Sequence, residues 1–201
     1  MKKIAILDYG LGNILSLKYS LNYLGYKCFL ASEVKNNSFD CLIIPGVGSY
    51  SYAMSLIKNK QLNSIKKAVT NDILIIGICL GMQIMSSSGL EGGKSKGLSL
   101  IPGLTSKIKT KGKDKLPRVG WKETFFVKNS LFSEFNNQKF YYVHSYKVEI
   151  KKKNNLIGHT FYNKSKITSA VNDKNIFGFQ FHPEKSGEVG LELLKKLIQR
   201  Y

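Results

Sequence analysis

The sequence predicts an α/β fold: a central, mostly parallel sheet flanked by helices, passing into an antiparallel or mixed extension. Three observations predict it. Short apolar runs alternate with helix-period segments through the first half of the chain, the signature of βα units. From about Lys107 onward the pattern turns β-rich. The last segment returns to an amphipathic helical period.

The elements follow in order. Residues 4–7 read as a strand and 14–24 as a helix; 41–44 as a strand and 53–69 as a helix; 73–78 as a strand and 80–85 as a helix. The later strand-like pieces cover 140–143, 146–150, 156–162, 167–171 and 176–181, and a helix over 189–198 places Leu191, Leu194 and Ile198 on one face. There is no internal repeat and no low-complexity linker, so residues 1–201 are read as a single domain. Its 201 residues, 43% of them hydrophobic, are enough for a substantial core. In such a sheet the chemistry is expected at the carboxyl ends of the parallel strands.

Composition narrows the function. No apolar run approaches the roughly 18 residues of a membrane span, and the start MKKIAILDYG enters a strand pattern directly, so a cytoplasmic protein is expected, with no membrane partner. Three cysteines without a CxxC pair make neither a disulfide framework nor a zinc site. The net charge of +18 invites a nucleic-acid partner. It is set aside because only Arg118 and Arg200 are arginine, whereas base reading favours the bidentate arginine fork. The alternating run Lys107, Lys109, Lys111, Lys113 and Lys115, and the contiguous Lys151, Lys152 and Lys153, read as solvated loop or strand-edge lysines, with docking to an acidic partner as the functional alternative.

The strongest chemical signal is the strand 73–78 running into Gly77-Ile78-Cys79-Leu80-Gly81 and a helical segment. Glycines two before and two after the cysteine are expected to let the chain turn sharply and leave Cys79 exposed on a nucleophile elbow. The helix N-terminus behind it favours a thiolate, and the Leu80 N–H can donate to an oxyanion. Cys28 and Cys41 lie in apolar strand-like runs without such glycines and read as structural.

A cysteine nucleophile needs a base, and the chain has three histidines. His159, in an alternating stretch, reads as structural. His182 and Glu184 lie two apart around Pro183, on one side of an extended chain, where the carboxylate can orient the imidazole and stabilise its charged form. Pro45-Gly46-Val47-Gly48 follows the strand 41–44 and is mobile enough to present an N–H to a tetrahedral intermediate. Asp8-Tyr9-Gly10-Leu11-Gly12-Asn13 lacks the spacing and the lysine of a phosphate loop.

GICLGMQ together with FHPE resembles the class I, or triad, glutamine amidotransferases. The ordered set DYGLGN, PGVGSY, GICLGMQ, PRVGW, YYVHSY and FHPEKSG resembles more narrowly the glutaminase subunits of imidazole glycerol phosphate synthases. The resemblance runs from Asp8 to Gly187. It implies the class I amidotransferase fold, glutamine as substrate, no metal or organic cofactor, and a role in histidine biosynthesis. It makes Cys79 the nucleophile that forms a γ-glutamyl thioester, His182 the general base and acid, and Glu184 its orienter. Val47 and Leu80 would supply the oxyanion hole, and Gly48, Gln83, His144, Ser145 and Tyr146 would border the glutamine pocket. The implied partner is a separate (β/α)₈ barrel cyclase, joined as a heterodimer across a surface that includes Lys185 and Trp121. Two positions depart from the family pattern: Lys122 follows Gly120-Trp121 where asparagine is usual, and Asn163 follows Tyr162 where glycine is commoner. Alternative functions are a paralogous glutaminase serving a synthase of surface-glycan sugars, and a cysteine hydrolase or peptidase on the same elbow.

Overall fold

In the computed structural model, residues 2–34, 38–110 and 115–201 are described. Their elements are β1 (Lys3–Ile6), α1 (Ile14–Tyr23), β2 (Lys27–Leu30), β3 (Cys41–Ile44), α2 (Tyr50–Leu56), α3 (Asn59–Thr70), β4 (Leu74–Ile78), α4 (Leu80–Ile84), β5 (Ser88–Gly89), β6 (Ser95–Lys96), β7 (Gly103–Lys107), β8 (Arg118–Phe126), β9 (Gln138–His144), β10 (Tyr146–Ile150), β11 (Leu156–Tyr162), β12 (Ser165–Asp173), β13 (Ile176–Phe179) and α5 (Gly187–Arg200). The strands form a nine-stranded sheet in the order β2-β1-β3-β4-β13-β12-β11-β8-β9 and a four-stranded sheet in the order β10-β7-β5-β6.

The parallel part spans β2 to β13. Ile4 pairs with both Cys28 and Cys41, and Ile78 of β4 pairs with Phe179 of β13. β3 and β4 are buried along their whole length, as their unbroken apolar sequences require of strands covered on both faces. Alternation then sorts the side chains. Ile4, Ile6, Ile43 and Ile76 pack with Leu17 and Leu21 of α1 and Leu193, Leu197 and Ile198 of α5. Ala5, Leu7, Leu42 and Ile75 pack with Ala53 of α2, Ile65 and Ala68 of α3, and Met82 and Ile84 of α4. β13 is the switch: parallel to β4 on one side, it is antiparallel to β12 on the other, with Ala170 opposite Phe179. Beyond it the extension is filled by phenylalanines, among them Phe140 and Phe181 with ring centroids 4.2 Å apart.

Four expectations change. The single helix over 53–69 is two helices broken at Ile57 and Lys58, both extended. The Gln61 side chain accepts the Lys58 N–H at 3.1 Å and donates to the Asp8 carbonyl at 3.0 Å, so the second helix starts afresh and is anchored near the site. Antiparallel pairing begins at Ser88 rather than near Lys107. The strand expected over 176–181 ends at Phe179, because the next residues cross to other strands: the Gln180 N–H bonds the Ser169 carbonyl and the His182 N–H bonds the Tyr141 carbonyl. The buried stripe of α5 is Gly190, Leu193, Leu194, Leu197 and Ile198, and Leu191 is half-buried at its margin.

Lys107, Lys109, Lys115 and Lys151, Lys152 and Lys153 are exposed, while Lys111 and Lys113 lie outside the described residues. Among the described residues no helix is long and apolar enough to cross a membrane.

Candidate active site

The elbow forms where β4 runs into α4. Cys79 carries the strain itself, at φ 54° and ψ −108°. A left-handed conformation costs a non-glycine residue on the order of 1–3 kcal/mol and persists only where the surroundings enforce it. Here both ends are tied: the Cys79 N–H donates to the Phe179 carbonyl at 2.7 Å, and the Cys79 carbonyl accepts from the Gln83 N–H at 3.1 Å. The flanking glycines therefore act differently from the expectation. Neither has a positive φ. A Cβ on Gly81 would stand 1.7 Å from the Ile44 carbonyl oxygen, and one on Gly77 would stand 2.8 Å from the Met82 nitrogen. The glycines let α4 press against β3 and β4, and that close packing holds the cysteine in its strained turn.

The candidate base, His182, lies on the crossing that follows β13. Its backbone is fixed by the His182 N–H to the Tyr141 carbonyl at 2.9 Å and by the Ser186 hydroxyl, which donates to the His182 carbonyl at 2.6 Å and accepts the Tyr141 N–H at 3.0 Å. The segment is not the extended chain expected: Pro183–Lys185 is a short 3₁₀ turn with proline at its start. The turn brings Glu184 Oε1 to 2.8 Å from His182 Nδ1, with both side chains nearly sealed from solvent. Burial works against a charged ring, yet the Cys79 side chain and the Glu184 carboxylate outweigh it and raise the His182 pKa to about 10. Nε2 bonds no nitrogen or oxygen. The Cys79 side chain is the neighbour that favours its protonation after Glu184 is assigned to Nδ1.

Cys79 is buried rather than exposed as expected, and it is reached through a cavity of about 240 Å³ that opens on the thiol. It is lined by Cys79 together with Val47, Gly48, Leu80, Gln83, His144, Ser145 and Tyr146, every pocket and oxyanion residue expected from the sequence. Gln83 is held by its amide, which donates to the Tyr146 carbonyl at 3.1 Å. Leu80 opens α4, so its N–H has no acceptor within the helix. The Val47 segment is anchored upstream, where the buried Tyr9 hydroxyl donates to the Pro45 carbonyl at 2.6 Å, and Gly48 sits at φ +108°.

Three lining residues were not foreseen: Glu91, Pro117 and Val143. Glu91 is an isolated acid in a glycine turn, so no spacing marks it. Burial raises its pKa, and its carboxylate accepts the Tyr50 N–H at 2.9 Å. Gln180 was also missed. It is fully buried and its Nε2 lies 3.8 Å from the Cys79 sulfur. His159 is away from this group, stacked on Phe125 at 5.5 Å. Trp121 is half exposed, and one corner of its ring lies 3.8 Å from where a Cβ on Gly187 would stand, placing it beside the loop that carries exposed Lys185. Among the described residues no cluster of three or more His, Cys, Asp or Glu side chains could hold a metal.

Two buried histidines set opposite pH dependences. His144 donates from Nδ1 to the Tyr146 carbonyl at 2.7 Å, and burial above all lowers its pKa from 6.5 to about 4. The folded state then binds fewer protons than the unfolded state, so this contribution to stability is present above 6.5 and is lost as pH falls through about 4. For His182 the sign reverses: stability is fully present below 6.5 and is lost as pH rises through about 10. Melting curves across pH should show His144→Gln flattening the acid limb. Imidazole carbon shifts should show the His182 midpoint falling in Cys79→Ala, since the thiol is one of the two groups that raise it.

The family model described as glutamine amidotransferase class-I matches residues 5–199. The chain is 40% identical over 202 residues to "Imidazole glycerol phosphate synthase subunit HisH 2" of Methanococcus maripaludis, covering 98% of this chain and 99% of that one. It is 37% identical over 203 residues to "Imidazole glycerol phosphate synthase subunit HisH" of Lactococcus lactis, covering 99% of each. Among solved structures, PurLQS from Thermotoga maritima superposes with a TM-score of 0.75 at 19% identity over 100% of this chain and 99% of that chain, which shows a shared fold. The chain belongs to the class I glutamine amidotransferase family, in the group formed by the HisH subunits of imidazole glycerol phosphate synthase.

Proposed function

We propose that the chain hydrolyses glutamine to glutamate and ammonia as the glutaminase subunit of an imidazole glycerol phosphate synthase in histidine biosynthesis, and that residues 1–201 work as one amidotransferase domain. The observation that carries the chemistry is the pairing of an elbow cysteine facing a 240 Å³ cavity with a buried His182–Glu184 pair at 2.8 Å.

The steps follow from these groups. The Cys79 thiolate adds to the γ-carboxamide carbon of glutamine, and the C=O electron pair moves onto oxygen, where the Leu80 N–H and, once aimed, the Val47 N–H receive it. His182, protonated and steadied by Glu184, gives its proton to the departing nitrogen. Ammonia leaves and a γ-glutamyl thioester remains. Neutral His182 then takes a proton from water as its oxygen attacks the thioester carbon, and glutamate departs with the thiolate restored. Gly48, Gln83, His144, Ser145 and Tyr146 form the substrate's walls, and Glu91 offers a carboxylate to its α-ammonium group. No cofactor takes part in these steps.

The ammonia is consumed by a partner, which we take to be a (β/α)₈ barrel cyclase in a heterodimer docked over the loop of Lys185 and beside Trp121. Both side chains are exposed next to the triad. Three free thiols suit a cytoplasmic setting. Glutamate release measured with purified cyclase and its nucleotide substrate tests the proposal. Within that assay Lys185→Ala should reduce partner stimulation about two- to tenfold, the range of an exposed to partly desolvated charge contact. Unchanged stimulation and unchanged complex affinity would make Lys185 one more solvated lysine.

A further inference from the structure

We infer that Gln180 presents an N–H to the Cys79 sulfur and ties the nucleophile to the wall of the substrate pocket. This rests on the glutaminase reading and adds a residue to it. Gln180 lies at the bend after β13, fully buried, with its backbone N–H held by the Ser169 carbonyl at 2.8 Å.

The direction of its amide follows from a chain of donors and acceptors. The Tyr146 carbonyl can only accept, so Gln83 turns its Nε2 toward it at 3.1 Å. The same Nε2 donates to Gln180 Oε1 at 3.1 Å. Gln180 Nε2 is thereby left facing the sulfur, at 3.8 Å. Turning the Gln180 amide over would set NH₂ against NH₂ in a buried space.

The sulfur has a second polar neighbour, the Val143 carbonyl, also at 3.8 Å. A carbonyl accepts only from the protonated thiol, whereas an amide N–H favours the thiolate. Gln180 thus offsets a contact that holds the nucleophile in its inactive form. Because Gln83 and Tyr146 line the cavity, two linked amides connect the substrate's place of binding to the atom that attacks it. If the site needed only packing, an apolar side chain would fill it without the desolvation of an amide.

The test uses the full chain bound to its synthase partner. Gln180→Met removes the donor at similar volume, and Gln180→Glu keeps the acceptor toward Gln83 while turning an oxygen to the sulfur. In both, inactivation of Cys79 by iodoacetamide at neutral pH should slow about tenfold or more, the worth of a hydrogen bond to a charged group. Its rate should continue to climb further into the alkaline range than in the parent protein. The kcat for glutamine should fall by a similar factor with KM nearly unchanged. Melting temperature and partner affinity report folding, and the Glu variant carries the test if the Met variant does not fold. Parental inactivation rates and pH profiles in a folded variant would overturn the role of Gln180. Absence of glutamine turnover in the parent complex would instead refute the glutaminase reading, while the iodoacetamide arm still decides the inference.

Discussion

Replacing Cys79 by alanine should lower glutamine-dependent synthesis by the complex by on the order of 10⁴-fold or more, while synthesis from added ammonia continues. The effect is large because the thiolate, its imidazolium partner and the thioester route are lost together. Alanine must still adopt the elbow conformation at φ 54°, which α4 packing imposes, so the fold is kept. Cys79→Ser tests the same point with a hydroxyl that His182 ionises poorly. Substantial glutamine turnover by Cys79→Ala would refute the assignment. Loss of ammonia-dependent synthesis as well would place Cys79 in docking or folding.

The second large effect is expected from the partner. The isolated chain should hydrolyse glutamine slowly and accelerate about a hundred- to a thousand-fold when a barrel partner binds its own substrate, the worth of one oxyanion donor. The physical ground is the segment after β3. Its upstream end is clamped: a Cβ on Gly46 would meet the Tyr9 hydroxyl at 2.4 Å and Leu80 Cβ at 3.0 Å, and the Pro45 carbonyl is held by Tyr9. Its downstream end, Gly48 at φ +108°, has a conformation open to glycine and strained for other residues. We propose that the Val47 peptide, between a clamp and a glycine pivot, holds two orientations, of which only one aims its N–H at the developing oxyanion. A shift between them is a population change that partner binding can bias. Stopped-flow glutamate release with and without the partner's nucleotide measures it, and full activity of the chain alone would refute the gating.

Local pattern carried much of the site. The elbow was legible because glycines at two-residue spacing around a cysteine after an apolar run have few other uses, although they prove to serve close packing and Cys79 itself takes the positive φ. His182 and Glu184 were legible as neighbours in sequence, but the 3₁₀ turn that joins them was not, since proline is compatible with both extended chain and the start of a helix. The break at Ile57 was hidden because the apolar period continues through it, and only the Gln61 side chain, which accepts the Lys58 N–H and donates across to Asp8, shows why the helix restarts. Gln180 and Glu91 were invisible for another reason. Each is a single polar residue whose meaning lies in a partner far along the chain, Cys79 for one and the cavity beside Cys79 for the other. The place of β13 between β4 and β12 is likewise a long-range pairing that no local window contains.

The most direct measurement of the central claim is glutamate production from glutamine by the purified chain, alone and with each candidate barrel synthase, in the presence and absence of that synthase's ligand, with Cys79→Ala in parallel. Slow release by the chain alone, strong stimulation by the cyclase of histidine biosynthesis with its nucleotide bound, and no release by Cys79→Ala are the expected results. Stimulation only by a synthase of surface-glycan sugars would contradict the assigned pathway, and release that survives loss of the thiol would contradict the account itself.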